Sequence, residues 1–224
     1  MKFTFPEEAI VADYFNELIT KSNKLNARDY LYYMGCKAAN KLAASFSSGV
    51  NLKVVCAAED VDFYSRGFVE TLRVNFPVFY AARWMQKLSH VIPNLGDLYL
   101  IRHTYDEPMP EAPYELIYLK PFFISQAEAR SCLLNEIDEG NPTKIHVVTI
   151  YADSMSYEAM RAEFPEAIAD SMTIFSFVES GGIEDTIRSE FCEIVKDFYG
   201  SMGFDCSSGS PKGYLPSLIL EKIQ

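Results

Sequence analysis

The chain has 224 residues, 49 % hydrophobic and 23 % charged, with a formal net charge of −11. That size suits one domain, which buries most of its unfolded surface and needs no disulfide or metal staple. The acidic balance opposes direct binding to nucleic-acid phosphates and to anionic membranes.

The five cysteines, Cys36, Cys56, Cys132, Cys192 and Cys206, are odd in number and none are closely spaced. They fit neither a disulfide framework nor a zinc pattern, so reduced structural thiols are expected. Glu7 and Glu8 follow the first residues at once, which does not read as a signal peptide. No run approaches the ~20 apolar residues of a membrane span. The expected location is cytoplasmic.

Two helices are expected to open the chain. Pro6 can start the first, with Glu7 and Glu8 in its first turn and Ile10, Tyr14, Leu18 and Ile19 as an apolar stripe. The second covers about 27–46 and ends at the Ser-Ser-Gly of 47–49. The pattern then changes to short apolar runs alternating with helices. Strands are predicted at 52–57, 77–82, 97–103, 114–120, 144–152 and 172–177. Helices are predicted at 62–75, 83–90, 125–138, 154–163 and about 183–200. Ser125 is placed as an N-cap, with Glu128 completing a capping box. The segment 104–113 holds three prolines and reads as a loop. The last twenty residues hold a polar, Gly-rich stretch at 205–213.

Strand–helix alternation from 52 to 177 builds a mostly parallel, twisted α/β sheet with helices on both faces. The chain divides into N-terminal helices (1–50), an α/β core (51–178) and a C-terminal helical extension (179–224), all in one domain. Ligands of such sheets bind beyond the carboxyl ends of the strands. The loops of interest are therefore 57–62, 82–84, 102–114, 120–126 and 152–155.

One stretch, LYLIRHTYDEPMPEAPYELIYLKPFFISQAEARSCLLNEI (98–137), resembles a segment of the uracil branch of the type I phosphoribosyltransferases. There a strand ending in Arg leads into a Pro/Glu-rich flexible loop. A second strand then enters the loop that cradles the phosphoribosyl group. The stretches 144–167, 172–177 and 51–72 are similar to the strands and helices around it, so the resemblance covers about 25–178. It implies the phosphoribosyltransferase-like fold, a homodimer or protein partner, a mobile 102–114 arm and a nucleotide or phosphoribosyl ligand. Magnesium would accompany phosphoribosyl pyrophosphate. Arg102 would contact phosphate.

The loops depart from that family. Lys120 stands where a ribose-binding carboxylate is expected. Phe122 and Phe123 replace small residues, and the 119–129 segment has no glycine. Glu59, Asp60 and Asp62 crowd the first phosphate loop with acids, and Gly213–Pro216 only weakly echoes the base-reading loop.

The remaining candidates each carry two readings. Glu59, Asp60 and Asp62 either hold a ribose or metal or cap the next helix. Arg66 reaches an anion or is solvated. His103 is a general acid–base or exposed. Lys120 binds phosphate as a point charge or pairs with a carboxylate. Ser125 and Gln126 offer a helix N-terminus to an anion. Arg83, with Trp84, faces a nucleobase or packs. His90 and His146 read as structural. No serine-hydrolase elbow, P-loop or zinc-protease motif is present. The expectation is a divergent phosphoribosyltransferase-like protein that acts on or binds a nucleobase, nucleotide or phosphoribosyl pyrophosphate, as a phosphoribosyltransferase or a related glycosidic-bond enzyme without ordinary uracil phosphoribosyltransferase activity. The alternative is an inactive sensing or interaction module.

Overall fold

The structure, a computed structural model, describes residues 2–4, 24–88, 97–180, 185–205 and 209–223. The expected helix from Pro6, His90 and Cys206 lie outside them.

The core is a mostly parallel sheet in the order β1-β8-β7-β5-β2-β3-β4. Its strands are β1 (Lys2–Thr4), β2 (Asn51–Ala57), β3 (Val78–Lys87), β4 (Tyr99–Asp106), β5 (Tyr114–Leu119), β7 (Lys144–Asp153) and β8 (Met172–Ser180). A two-residue strand, β6 (Phe122–Phe123), adds to the carboxyl end of β7. Among these pairings only β4 runs antiparallel, against β3. The helices are α1 (Lys24–Leu42), α2 (Arg66–Leu72), α3 (Gln126–Glu139), α4 (Ser154–Ala162), α5 (Glu166–Ser171), α6 (Asp185–Ser201) and α7 (Ser217–Ile223). No described helix is long and apolar enough to cross a membrane.

The central strands are apolar along both faces because helices cover both. Alternate residues point to opposite sides. Leu52, Val54 and Cys56 of β2, with Ile117 and Leu119 of β5, join one core with α1, α2, α6 and α7. Val55, Leu116 and Tyr118 join the other, with Cys132 and Leu133 of α3 and Tyr157 and Met160 of α4. On the first face, α1 crosses the next helical segment at backbone contact. A Cβ on Gly35 would sit 2.1 Å from the Tyr64 carbonyl oxygen, and one on Gly67 would sit 2.1 Å from that of Tyr32. Only glycine permits that approach. The described cysteines, Cys36, Cys56, Cys132 and Cys192, form no disulfide.

Two predicted elements are corrected. In place of the helix expected from 83, β3 continues to Lys87, with Arg83 and Met85 buried and Trp84 and Gln86 partly exposed. The 102–114 loop is also shorter than expected. Strand β4 runs through Asp106, and Thr104, Tyr105 and Asp106 pair with Arg83, Ala82 and Ala81. The remaining turn, 107–113, lies at the amino-terminal edge of the parallel strands, where Glu107 accepts from the Tyr80 N–H and binds Arg73. It is therefore remote from the carboxyl ends. What overhangs those ends is the far half of the β3–β4 ribbon.

Candidate functional site

Strands β2 and β5 lie side by side and release the chain at the same edge of the sheet. After Ala57 the chain tightens into a turn, Ala58–Asp60, and then a π-helical turn, Val61–Ser65. This brings Glu59 and Asp60 inward, 4 % and 0 % exposed. From β5, Lys120 reaches over the same edge. Its Nζ donates to Glu128 Oε1 at 2.7 Å, and lies 3.4 Å from Asp60 Oδ2 and 3.7 Å from Glu59 Oε1. Asp60 also accepts from the Tyr199 hydroxyl of α6.

Three carboxylates thus surround one ammonium group, away from bulk water. Burial pushes Glu59 up to about 7; Lys120 pulls the other way, while Asp60 and Glu128 push with burial. Burial likewise raises Asp60, against Lys120 and the Tyr199 hydrogen bond. Burial works against the Lys120 charge, yet Asp60, Glu128 and Glu59 outweigh it and hold its pKa well above the ordinary value.

A cavity of about 250 Å³ opens on this cluster. Glu59, Lys120 and Glu128 line it, with Tyr99, Tyr118, Phe122, Phe123 and Tyr199 as its aromatic walls. Lys87 and Asp97 of the overhanging ribbon pair at 2.6 Å on its rim. Two buried oxygens of lining residues, Glu59 Oε2 and the Tyr118 hydroxyl, have no hydrogen-bond partner.

The loop between β5 and α3 is not a cradle of converging N–H groups. Its backbone is stitched to β7: the Lys120 N–H donates to the Val148 oxygen at 3.1 Å, and the Pro121 oxygen accepts from Ile150 and Tyr151. Phe122 and Phe123 pair with Tyr151 and Ala152. Successive strand residues face opposite ways, so Phe122 meets Phe198 and Tyr199 edge-on while Phe123 meets Tyr157. Ser125 caps α3, its Oγ accepting from the Ala127 N–H at 3.4 Å, and Gln126 is the first helical residue. Glu128, expected to complete a capping box, turns its carboxylate to Lys120.

The other predicted residues fall elsewhere. Asp62 does cap a helix, but α7: it accepts from the Ser217 and Leu218 N–H groups, the Ser217 hydroxyl and the Tyr214 hydroxyl. These bonds hold its carboxyl below the usual range in spite of burial. Arg66 pairs with Glu70 at 2.8 Å and with Glu221 at 3.4 Å on the surface. Arg83 is fully buried, with Nε 2.8 Å from Glu136 Oε1 and two further bonds to Asp106 at 2.8 Å. Lys53 joins the same group, 2.6 Å from Glu136. Arg83 is thus a packing residue and faces neither cavity. Arg102 and His103 sit within β4, not at the head of a loop. They line a second cavity of about 250 Å³ with Trp84, Ser210 and Lys212. Its inner side is strapped to β3 by Ser210, whose N–H donates to the Met85 oxygen at 2.7 Å.

Of the residues singled out in the sequence, Glu59, Lys120 and Ser125 line the first cavity and Asp60 lies against Lys120 beneath it. Tyr99, Tyr118 and Tyr199 line it without having been singled out, and Glu128 does so in place of its expected capping role. Tyr199 lies 139 positions from Asp60, and no local pattern connects them. Among the described residues, no group of three or more His, Cys, Asp or Glu side chains has the arrangement to hold a metal ion.

No family model matches the sequence, and no curated protein matches it. Among solved structures, the chain is similar to the AQ2163 protein of Aquifex aeolicus, with a TM-score of 0.57, 11 % identity and coverage of 83 % of this chain and 89 % of that one. Weaker likenesses include a hypothetical protein from Neisseria gonorrhoeae with bound ppGpp (TM-score 0.42, 10 % identity, 73 % and 91 % covered). Another is a hypoxanthine phosphoribosyltransferase from Staphylococcus aureus (TM-score 0.40, 6 % identity, 69 % and 73 % covered). The chain therefore shares a mostly parallel α/β fold with the AQ2163 protein.

Proposed function

We propose that this chain is a binding protein on a phosphoribosyltransferase-like fold, which holds a flat ligand of nucleobase or nucleoside size in the carboxyl-end cavity and does not transfer phosphoribosyl groups. The carrying observation is the capture of Lys120 by Glu59, Asp60 and Glu128. Lys120 is thereby already committed, and a pyrophosphate arriving beside it meets an excess of buried carboxylates.

Three further features support the reading. The 120–123 backbone is spent on the sheet, so few N–H groups remain to bind an anion. The walls are aromatic, which suits a flat ring. The volume lies just below the ~300 Å³ at which drug-sized pockets begin, so it fits a small ligand.

The test pairs binding with turnover on the full chain. Calorimetric titration with uracil, cytosine, adenine and their nucleosides should show saturable heat for at least one of them. A radiolabelled base-to-nucleotide assay with phosphoribosyl pyrophosphate and magnesium should show no product. Turnover near the common enzyme range of ~1 per second or above would overturn the reading, as would the absence of binding by every base and nucleoside.

A further inference from the structure

The chemistry of the cavity floor narrows the ligand further. We propose that the cavity recognises a ring bearing an amidine-type pair of N–H donors, cationic or amino-substituted, with the Glu59 carboxylate as its principal acceptor and Tyr118 beside it, and that it rejects anions of the same shape. This rests on the reading of the cavity as a ligand site, and adds the charge and donor pattern of what enters.

Unmet hydrogen-bonding capacity is the first observation. Glu59 is 4 % exposed and Tyr118 1 %, and Glu59 Oε2 and the Tyr118 hydroxyl are buried without a hydrogen-bond partner. Buried polar atoms are nearly always paired, and an orphan in a cavity wall marks a place where a partner belongs. A carboxylate accepts two parallel N–H bonds from a planar amidine or aminated ring, the strongest geometry open to it.

Charge balance is the second, independent observation. From the turn after β2 come Glu59 and Asp60, from α3 Glu128, and from β5 the single Lys120. The facing ribbon brings Lys87 and Asp97, which neutralise each other, and α6 brings Lys196, paired with Glu193, besides Tyr199. The floor therefore keeps an excess of carboxylate that a ligand cation would offset. Tyr99, Phe122 and Tyr199 line the same space, and aromatic faces attract cations.

A proton is linked to this event. With its pKa near 7, Glu59 holds a proton over part of the neutral range. An arriving cation favours the ionised carboxylate, so binding releases that proton to solvent. Affinity then rises with pH through about 7 and levels off above it.

Three ring-matched probes separate the possibilities: benzamidine as cation, benzamide as neutral donor and benzoate as anion. They are titrated calorimetrically into the full chain at pH 6 and pH 8, in two buffers of different ionisation enthalpy. Benzamidine should bind at least about tenfold more tightly than benzamide, with benzoate undetected. Its affinity should fall about tenfold from pH 8 to pH 6, with proton release at pH 6. Glu59→Gln should remove both the pH dependence and the cation preference. Tyr118→Phe should weaken benzamidine and benzamide alike and leave the pH dependence in place. Benzoate binding as tightly as benzamidine would overturn the proposal, and so would a pH dependence that survives Glu59→Gln. If nucleobases bind but the probes show no cation preference, the cavity remains a ligand site and this inference alone fails. If neither nucleobases nor probes bind, both fail.

Discussion

The Arg83 cluster and the Lys120 cluster bury the same kinds of side chain on the two strands that flank β2, yet their charges sum differently. Arg83 and Lys53 face Glu136 and Asp106, two cations to two carboxylates. Burial works against the charge of Asp106, but its bonds to Arg83 and Lys53 prevail, and its carboxyl titrates below the usual range. At Lys120 one cation faces three carboxylates, burial prevails, and Glu59 and Asp60 titrate above it. A third group, at the amino end of β5, behaves like the first. Glu115 accepts from Ser47 at 2.8 Å and from Lys144 at 3.1 Å, and lies 2.9 Å from the His146 ring nitrogen. These partners overcome burial and hold Glu115 at about 2. Balanced clusters serve the fold. The unbalanced one borders a cavity, and perturbed carboxylates in a cleft make a candidate functional site.

Breaking the balanced cluster should have the largest effect. Arg83→Met leaves Glu136 and Asp106 with Lys53 alone, deep between β3 and α3. Removing one partner of a buried pair typically costs about 3–5 kcal/mol, and urea unfolding should show a loss of that order. A change below about 1 kcal/mol would mean that Lys53 and solvent suffice for both carboxylates.

Glu115→Gln comes next. Its folded pKa near 2 lies below the ordinary 4.5 of a free carboxyl, so the folded state gives up the proton more readily. That contribution is complete above about pH 4.5 and is lost as pH falls toward 2. At pH 7 the variant should lose about 3 kcal/mol, the energy of a shift of that size. At pH 3 the gap between variant and wild type should narrow. An equal gap at both pH values would show that Glu115 acts through packing and not through its charge.

The comparison also explains what the sequence could and could not disclose. Strands β2, β5, β7 and β8 and the α3 cap were legible, because apolar runs and a Ser at a helix start are local signals. The continuation of β3 was not. Arg83 points inward like an apolar residue, and only Glu136, 53 positions away, makes that possible. Lys120 stood out because it replaced a carboxylate, and its pairing was one of the two readings. Its partner Glu128, eight positions on, looked like part of a capping box. Asp62 was legible as a cap but not as the cap of α7, some 155 positions later. Local chemistry was readable, and the partner across the fold was not.

The most direct measurement is the stability of Glu59→Gln against wild type, by urea unfolding from pH 5 to pH 8. A carboxyl whose folded pKa is raised binds its proton more tightly in the folded state, so its contribution to stability falls as pH rises from about 4.5 to about 7. Glutamine has no proton to lose. The account predicts that the variant is equal to or slightly less stable than wild type at pH 5 and about 1–2 kcal/mol more stable at pH 8, part of the ionisation cost being offset by lost contact with Lys120. A variant less stable than wild type by the same amount at both ends would contradict it. It would place Glu59 with Glu115 and Asp106, as a carboxylate that holds the fold together.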